Sequence, residues 1–107
     1  MKLYGIKACD TCRAARAALE AAGHTVEFVD VRSEPLAPEQ IERFFAALGE
    51  ALVNRRSTTW RGLGDDERGE SPPALLARHP TLMKRPVIDA GGSLYLGWGA
   101  EVRGVLL

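Results

Sequence analysis

No stretch of this sequence comes near the roughly 20 consecutive apolar residues that a membrane-spanning helix needs. The opening Met1-Lys2-Leu3-Tyr4-Gly5-Ile6-Lys7 also lacks the long apolar segment of a secretory signal. The expectation is a cytosolic chain with no membrane association. Neither sign of charge dominates, because 14 Lys and Arg against 14 Asp and Glu leave a formal net charge of zero. Nucleic-acid binders generally carry a basic excess, so direct nucleic-acid binding is not expected. Any anion site has to come from local clustering. Cysteine is scarce, at two in 107 residues, and a chain of this length can bury a core without disulfide staples. There is no internal repeat, no low-complexity tract and no linker long enough to divide the chain, which makes it a single domain.

What is present is a sequence of short periodic segments. Leu3-Tyr4-Gly5-Ile6 reads as a first strand. Ala15, Ala18, Leu19 and Ala22 recur at i, i+3, i+4 and i+7, which predicts a helix over about 11–22 with Gly23 as its stop. Thr25 to Val31 is rich in β-branched residues and predicts a second strand. Strand, helix and strand of these lengths favour a parallel pair with a right-handed crossover. Val87-Ile88-Asp89 and Leu94-Tyr95-Leu96, separated by Ala90-Gly91-Gly92-Ser93, signal a β-hairpin. A last short helix runs from Gly99 or Ala100 to the C-terminus.

Between these halves, Ile41, Phe44, Phe45 and Leu48 mark a helix that Pro38 opens and Gly49 ends. Ser71-Pro72-Pro73 opens another, ended before Pro80. Asp65-Asp66-Glu67 reads as a solvated acidic loop. The resulting fold class is α/β: a thioredoxin-like fold with a helical insertion, about residues 36–82, between a βαβ half and a ββα half.

Cys9-Asp10-Thr11-Cys12 lies where the first strand gives way to the first helix. Unpaired N–H groups and the helix dipole favour negative charge there, and thiols in such motifs can fall from roughly 8.5 to about 3.5–7.5. Cys12 is one helical turn on, so it can resolve a mixed disulfide formed at Cys9. A zinc site and a pair of inert cysteines are the alternatives. Zinc takes four ligands, usually two such pairs; the chain has no further cysteine, and His24 and His79 read as ordinary surface or turn residues. No metal and no tightly bound cofactor are expected. Cys9 should be the more acidic thiol, with Lys7 and the helix N-terminus stabilising its thiolate and Asp10 opposing them. Arg13 also flanks the pair, and Arg55, Arg56, Arg61 and Lys84 add local basic charge. In a thioredoxin-like order the residue before the proline of the third strand lies beside the cysteine, so Arg85 is expected to face it. Trp60 and Trp98 read as core or rim aromatics.

Three blocks carry a resemblance: Tyr4-Gly5-Ile6-Lys7-Ala8-Cys9-Asp10-Thr11, Arg55-Arg56-Ser57-Thr58-Thr59-Trp60-Arg61 and Lys84-Arg85-Pro86-Val87-Ile88. They closely resemble the arsenate reductase-related (ArsC) family, and within it the Spx/MgsR/YffB group, over nearly the whole chain and in the family's order. The resemblance implies a nucleophilic cysteine at Cys9, basic residues near the thiol at Arg56 and Arg85, and a cis-proline at Pro86. Two departures concern the oxyanion clamp of arsenate reductases. Gly97 stands where those enzymes carry a third arginine, and Asn54 stands where they carry one after a leucine pair. Cys12 is a further departure, since many relatives have a single cysteine.

The resemblance thus implies a cytosolic thiol–disulfide oxidoreductase acting through Cys9 and Cys12. Glutathione or a similar small thiol would be its co-substrate, with Lys7, Arg56, Arg85 and Pro86 around the substrate. The alternative is a Spx-like redox-sensing regulator that binds RNA polymerase. Arsenate reduction ranks lowest.

Overall fold

A computed structural model describes all residues, 1–107, as two compact units. The first comprises Met1–Glu34 and Arg85–Leu107, and the second Pro35–Lys84.

The first unit is built on a four-stranded sheet. Its elements are β1 (Lys2–Gly5), α1 (Asp10–Ala21), β2 (Glu27–Asp30), β3 (Val87–Ala90), β4 (Ser93–Leu96) and α6 (Ala100–Leu106), in the sheet order β2-β1-β3-β4. β1 and β2 are parallel, with Leu3 opposite Phe28; β1–β3 and β3–β4 are antiparallel. This is the thioredoxin-like arrangement. β2 is shorter than its β-branched run predicts. Its ladder begins only where the Glu27 N–H meets Met1 O at 2.9 Å, which leaves Thr25 outside.

α1 places Cys12, Ala15 and Leu19 on one buried face. These join Leu3, Val26, Ile88 and Leu106 in a single apolar cluster, with Phe28, Tyr95 and Trp98 packed around it. Burying one such Leu or Ile side chain contributes about 1.5–3 kcal/mol. The His24 ring bonds Leu106 O at 2.9 Å and so fastens the C-terminal helix beside the exit of α1. The β3–β4 turn is tighter than the four-residue stretch suggests. Ala90 pairs with Ser93, leaving only Gly91 and Gly92, at φ 62° and 94°, in the turn. Two successive positive φ values are what a two-residue type I′ hairpin demands, and glycine adopts them without steric cost.

The second unit contains α2 (Pro38–Leu48), α3 (Thr58–Arg61), α4 (Asp65–Arg68) and α5 (Pro72–Arg78), with single 3₁₀ turns at Gly49–Leu52 and Pro80–Leu82. Pro38 occupies the first turn of α2, where its missing N–H costs nothing. α2 packs on α5, and Ile41, Phe44, Leu52, Leu75, Leu76 and Leu82 are buried. Val53 and Met83 form an antiparallel bridge, flanked by Asn54 N–H to Leu82 O at 2.9 Å and Lys84 N–H to Leu52 O at 2.8 Å.

The acidic run Asp65-Asp66-Glu67 is not a loop. It is the first turn of α4, where carboxylates complement the helix dipole. α3 was not anticipated, since four residues are too few to show a period. Ser57 caps it, its Oγ accepting the Trp60 N–H at 3.1 Å. His79 is likewise not a bare turn residue, because its Nε2 lies 2.8 Å from Glu67 Oε2. No helix of the chain is long and apolar enough to cross a membrane.

Candidate active site around Cys9

Cys9 is the N-cap residue of α1, with extended backbone angles (φ −81°, ψ 119°). Its N–H donates to Ile6 O at 2.9 Å, and its carbonyl accepts the Arg13 N–H at 3.1 Å. Both cysteines are free thiols; Cys9 is half-buried and Cys12 wholly buried.

Their acidities diverge for physical reasons. Burial pushes the Cys9 thiol up, but hydrogen bonds from the Cys12 N–H, the Cys12 thiol and the Arg85 guanidinium, together with the Arg85 charge, hold it below the ordinary thiol value. Burial dominates at Cys12, and the neighbouring Cys9 sulfur adds to it, so this thiol is pushed up to about 11. Cys9 is thus the more acidic thiol of the pair, and Cys12 is the one that keeps its proton and faces it as a donor.

Arg85 reaches Cys9 from the loop before β3, and the Arg85–Pro86 peptide bond is cis. Pro86 is fully buried, and its carbonyl accepts the Gly97 N–H at 2.7 Å.

Lys7 differs from expectation. The groups that lower Cys9 are Cys12 and Arg85, whereas the influence of Lys7 falls on Asp30. The Lys7 N–H donates to Asp30 Oδ2 at 2.9 Å, and this bond, against the opposing cost of burial, leads the causes that hold the Asp30 carboxyl below its usual range. The Lys7 side chain lines a groove of about 200 Å³ with Arg13, Arg16 and Phe28. Asp10, expected to oppose the thiolate, is ion-paired with Arg13. The spacing of Arg13 and Arg16 is the one sign of this groove that the sequence carried. Phe28, beneath Arg16 at 5.6 Å, gave none.

Arg56 belongs to the helical unit. It lines a pocket of about 490 Å³ with Asn54, Arg55, Lys84 and Glu50. Asn54 Oδ1 accepts the Arg56 N–H at 3.1 Å. Arg55 is engaged by Glu50 at 2.7 Å and lies over the Trp60 ring at 5.3 Å, with Arg68 also on that ring at 5.6 Å. Trp60 is therefore the centre of an arginine cluster, and it is half-buried. No group of three or more His, Cys, Asp or Glu side chains is gathered where it could hold a metal ion.

Comparison with known proteins bears on the family and the fold. The chain is 30% identical over 109 residues to the global transcriptional regulator Spx of Bacillus subtilis, covering 92% of this chain and 80% of Spx. A solved YffB protein superposes with a TM-score of 0.89 at 32% identity, covering 99% of this chain and 97% of that one. An arsenate reductase-related protein of Brucella melitensis superposes with a TM-score of 0.76 at 35% identity, covering 97% and 91% respectively. The ArsC family matches residues 4–103, and these relatives share its fold, so the chain belongs to the ArsC family.

Proposed function

We propose that this protein is a thiol–disulfide oxidoreductase of the cytosol that acts through Cys9 with a small carboxylate-bearing thiol such as glutathione. The observation that carries this reading is the contrast between the two thiols. Cys9 is half-exposed and acidified, whereas Cys12 is buried, protonated and aimed at it. The Cys9 thiolate attacks one sulfur of a mixed disulfide, the S–S bond breaks, and the departing thiolate takes up a proton. The new Cys9–glutathione disulfide is then opened by a second glutathione thiolate, which yields glutathione disulfide and restores Cys9. Alternatively Cys12 opens it, releasing glutathione and leaving a Cys9–Cys12 disulfide that two further glutathione molecules reduce. Arg85 supports this scheme as a charged donor at the thiol, and Lys7 and Arg56 are the further basic residues proposed to meet the carboxylates of the co-substrate.

The test is turnover of a glutathione mixed disulfide by the purified chain. Cys9→Ser should abolish it; Cys12→Ala should leave a glutathione adduct on Cys9, detected by mass spectrometry, where Cys12 opens the mixed disulfide, and should keep turning over where a second glutathione does. Arg85→Ala should weaken binding by about 1.5–3 kcal/mol, the range for a charged hydrogen bond, with Lys a poor substitute for the planar fork. Equal turnover by wild type and Cys9→Ser would sink the reading.

The likeness to Spx supports a second reading, in which the same pair is an oxidation switch on a regulator that binds RNA polymerase. Capture of polymerase by one redox state only, with no glutathione turnover, would favour it. Arsenate reduction stays lowest because Gly97 and Asn54 stand where arsenate reductases resembling this chain carry arginines. Arsenate turnover is expected near background, and robust turnover would reverse the ranking.

A further inference from the structure

Gly5 is the last residue of β1, and its backbone does not require glycine. The glycines with positive φ are Gly23, Gly49, Gly91, Gly92 and Gly97, and Gly5 is not among them. It lies within a regular ladder, paired with Asp30, and its carbonyl accepts the Val31 N–H at 2.9 Å. Any L-residue could hold this conformation. What excludes a side chain is space. A Cβ built on Gly5 would lie 2.5 Å from Cys12 Sγ and 3.2 Å from Cys12 Cβ, far inside van der Waals contact. Glycine inside a strand often marks such a close approach, and here the approaching group is the buried thiol itself. The ladder bonds fix Gly5 from one side. On the other, Cys12 is held by the first turns of α1 in the apolar cluster with Leu3 and Ala15.

We propose that Gly5 is a positioning residue, whose missing side chain leaves the space that Cys12 Sγ fills and so holds that thiol against Cys9. The inference deepens the reading of Cys9 and Cys12 as a working pair and rests on it. A methyl group at position 5 meets a sulfur that turns about a single side-chain bond. Turning the sulfur relieves the 2.5 Å contact, and the 3.2 Å approach to Cys12 Cβ, which that rotation leaves unchanged, is met by a shift of a few tenths of an ångström. Gly5→Ala should therefore leave a folded protein in which the Cys12 thiol no longer points at Cys9. The other groups that face Cys9, the Cys12 N–H and Arg85 from the loop before β3, are untouched by this change, so only the share of the acidification carried by the Cys12 thiol is lost.

The experiment is a pH profile of Cys9 alkylation by iodoacetamide, read by mass spectrometry on the full chain, with circular dichroism confirming the fold. In Gly5→Ala the profile should move to higher pH and the rate at neutral pH should fall about threefold or more, because reactivity follows the thiolate fraction. On a Cys12→Ala background the same Gly5→Ala change should have no effect on the profile, since the sulfur it displaces is gone. A folded Gly5→Ala protein with the wild-type profile would overturn the proposal, as would an equal shift on the Cys12→Ala background. If Gly5→Ala does not fold, Gly5→Ala/Cys12→Ala decides: recovery of the fold places the clash at Cys12, and continued failure overturns the proposal. Absence of glutathione turnover in the wild type would count against the proposed function and leave these alkylation profiles standing, so the two fail separately.

Discussion

Four-residue elements occur in both units and are secured in different ways. In the sheet unit all four strands have four residues, and each is bonded along its length to a neighbour. Their stability is carried by the backbone ladder and by the cluster around Leu3, Leu19 and Ile88. In the helical unit α3 and α4 also have four residues each, but no ladder holds them. Side chains do that work: Ser57 caps α3, Thr59 Oγ1 lies 2.9 Å from Thr81 Oγ1, and Arg68 donates to Trp60 O at 3.3 Å. A glutamate network runs alongside, with Arg78 on both oxygens of Glu70 at 2.6 Å and His79 on Glu67. Short strands thus rest on a backbone ladder and an apolar cluster, where short helices rest on polar ties from side chains.

The sharpest way to break the helical unit is through its apolar anchor. Phe44 is fully buried on α2. Phe44→Ala should cost about 3–5 kcal/mol from lost burial and the cavity left behind. Trp60 lies in this unit and Trp98 in the other, so a Trp98→Phe background lets urea unfolding of the helical unit be followed by Trp60 fluorescence. A loss under about 1 kcal/mol would mean that the polar ties, not the apolar anchor, hold this unit.

In the sheet unit the comparable test is alkaline. The unfolded Cys12 thiol releases its proton near 9, while the folded one keeps it until about 11. The unfolded state therefore binds fewer protons across that window, and stability must fall as pH rises through it, by roughly 2–3 kcal/mol in total. Cys9 acts in the opposite sense: its lowered value contributes stability above the ordinary thiol range that is lost as pH falls through the folded value. Cys12→Ala should remove the alkaline loss. Denaturant melts of both proteins across pH 9 to 11 would check this, and parallel profiles would refute it.

The smallest expected effect concerns α3. Ser57→Ala removes a cap bond to Trp60 N–H and a donor to Asn54 O, and should cost about 0.5–2 kcal/mol. Ser57→Thr should restore most of it, and Ser57→Asp only the part due to the cap acceptor, since a carboxylate cannot donate to Asn54 O. If Ser57→Ala is neutral, the arginines around Trp60 hold α3 without its cap.

The legibility of these regions follows the same division. Apolar period exposed α1 and α2, because Ala15, Leu19, Ile41 and Phe44 recur at helical spacing and are buried where the spacing put them. The Gly-rich turn exposed β3 and β4. Period says nothing about α3 and α4, which are each about one turn long; Ser57 before Thr58 and Gly64 before Asp65 were the available signs, and the acidic run hid the second. At the site, the Cys9–Cys12 spacing pointed to the two thiols and the order of elements pointed to Arg85, which does reach Cys9. The part played by Cys12 as a donor to Cys9 was not legible, because it depends on where a buried sulfur points. Lys7 shows the converse. Closeness in sequence suggested a partner for the thiolate, but β2 brings Asp30 to its backbone instead.

Cys12 has one more consequence, for how such a site can be dissected. Its sulfur is at once a filler of the apolar cluster and the neighbour that acidifies Cys9. Serine, the usual stand-in for a thiol in trapping experiments, would put a smaller and more polar group into an apolar cluster while keeping a donor beside Cys9. Alanine avoids that but leaves a small void. No replacement is silent at this position, so a loss of function at Cys12 has the meaning of lost chemistry only when the melting curve of the same variant is laid beside it.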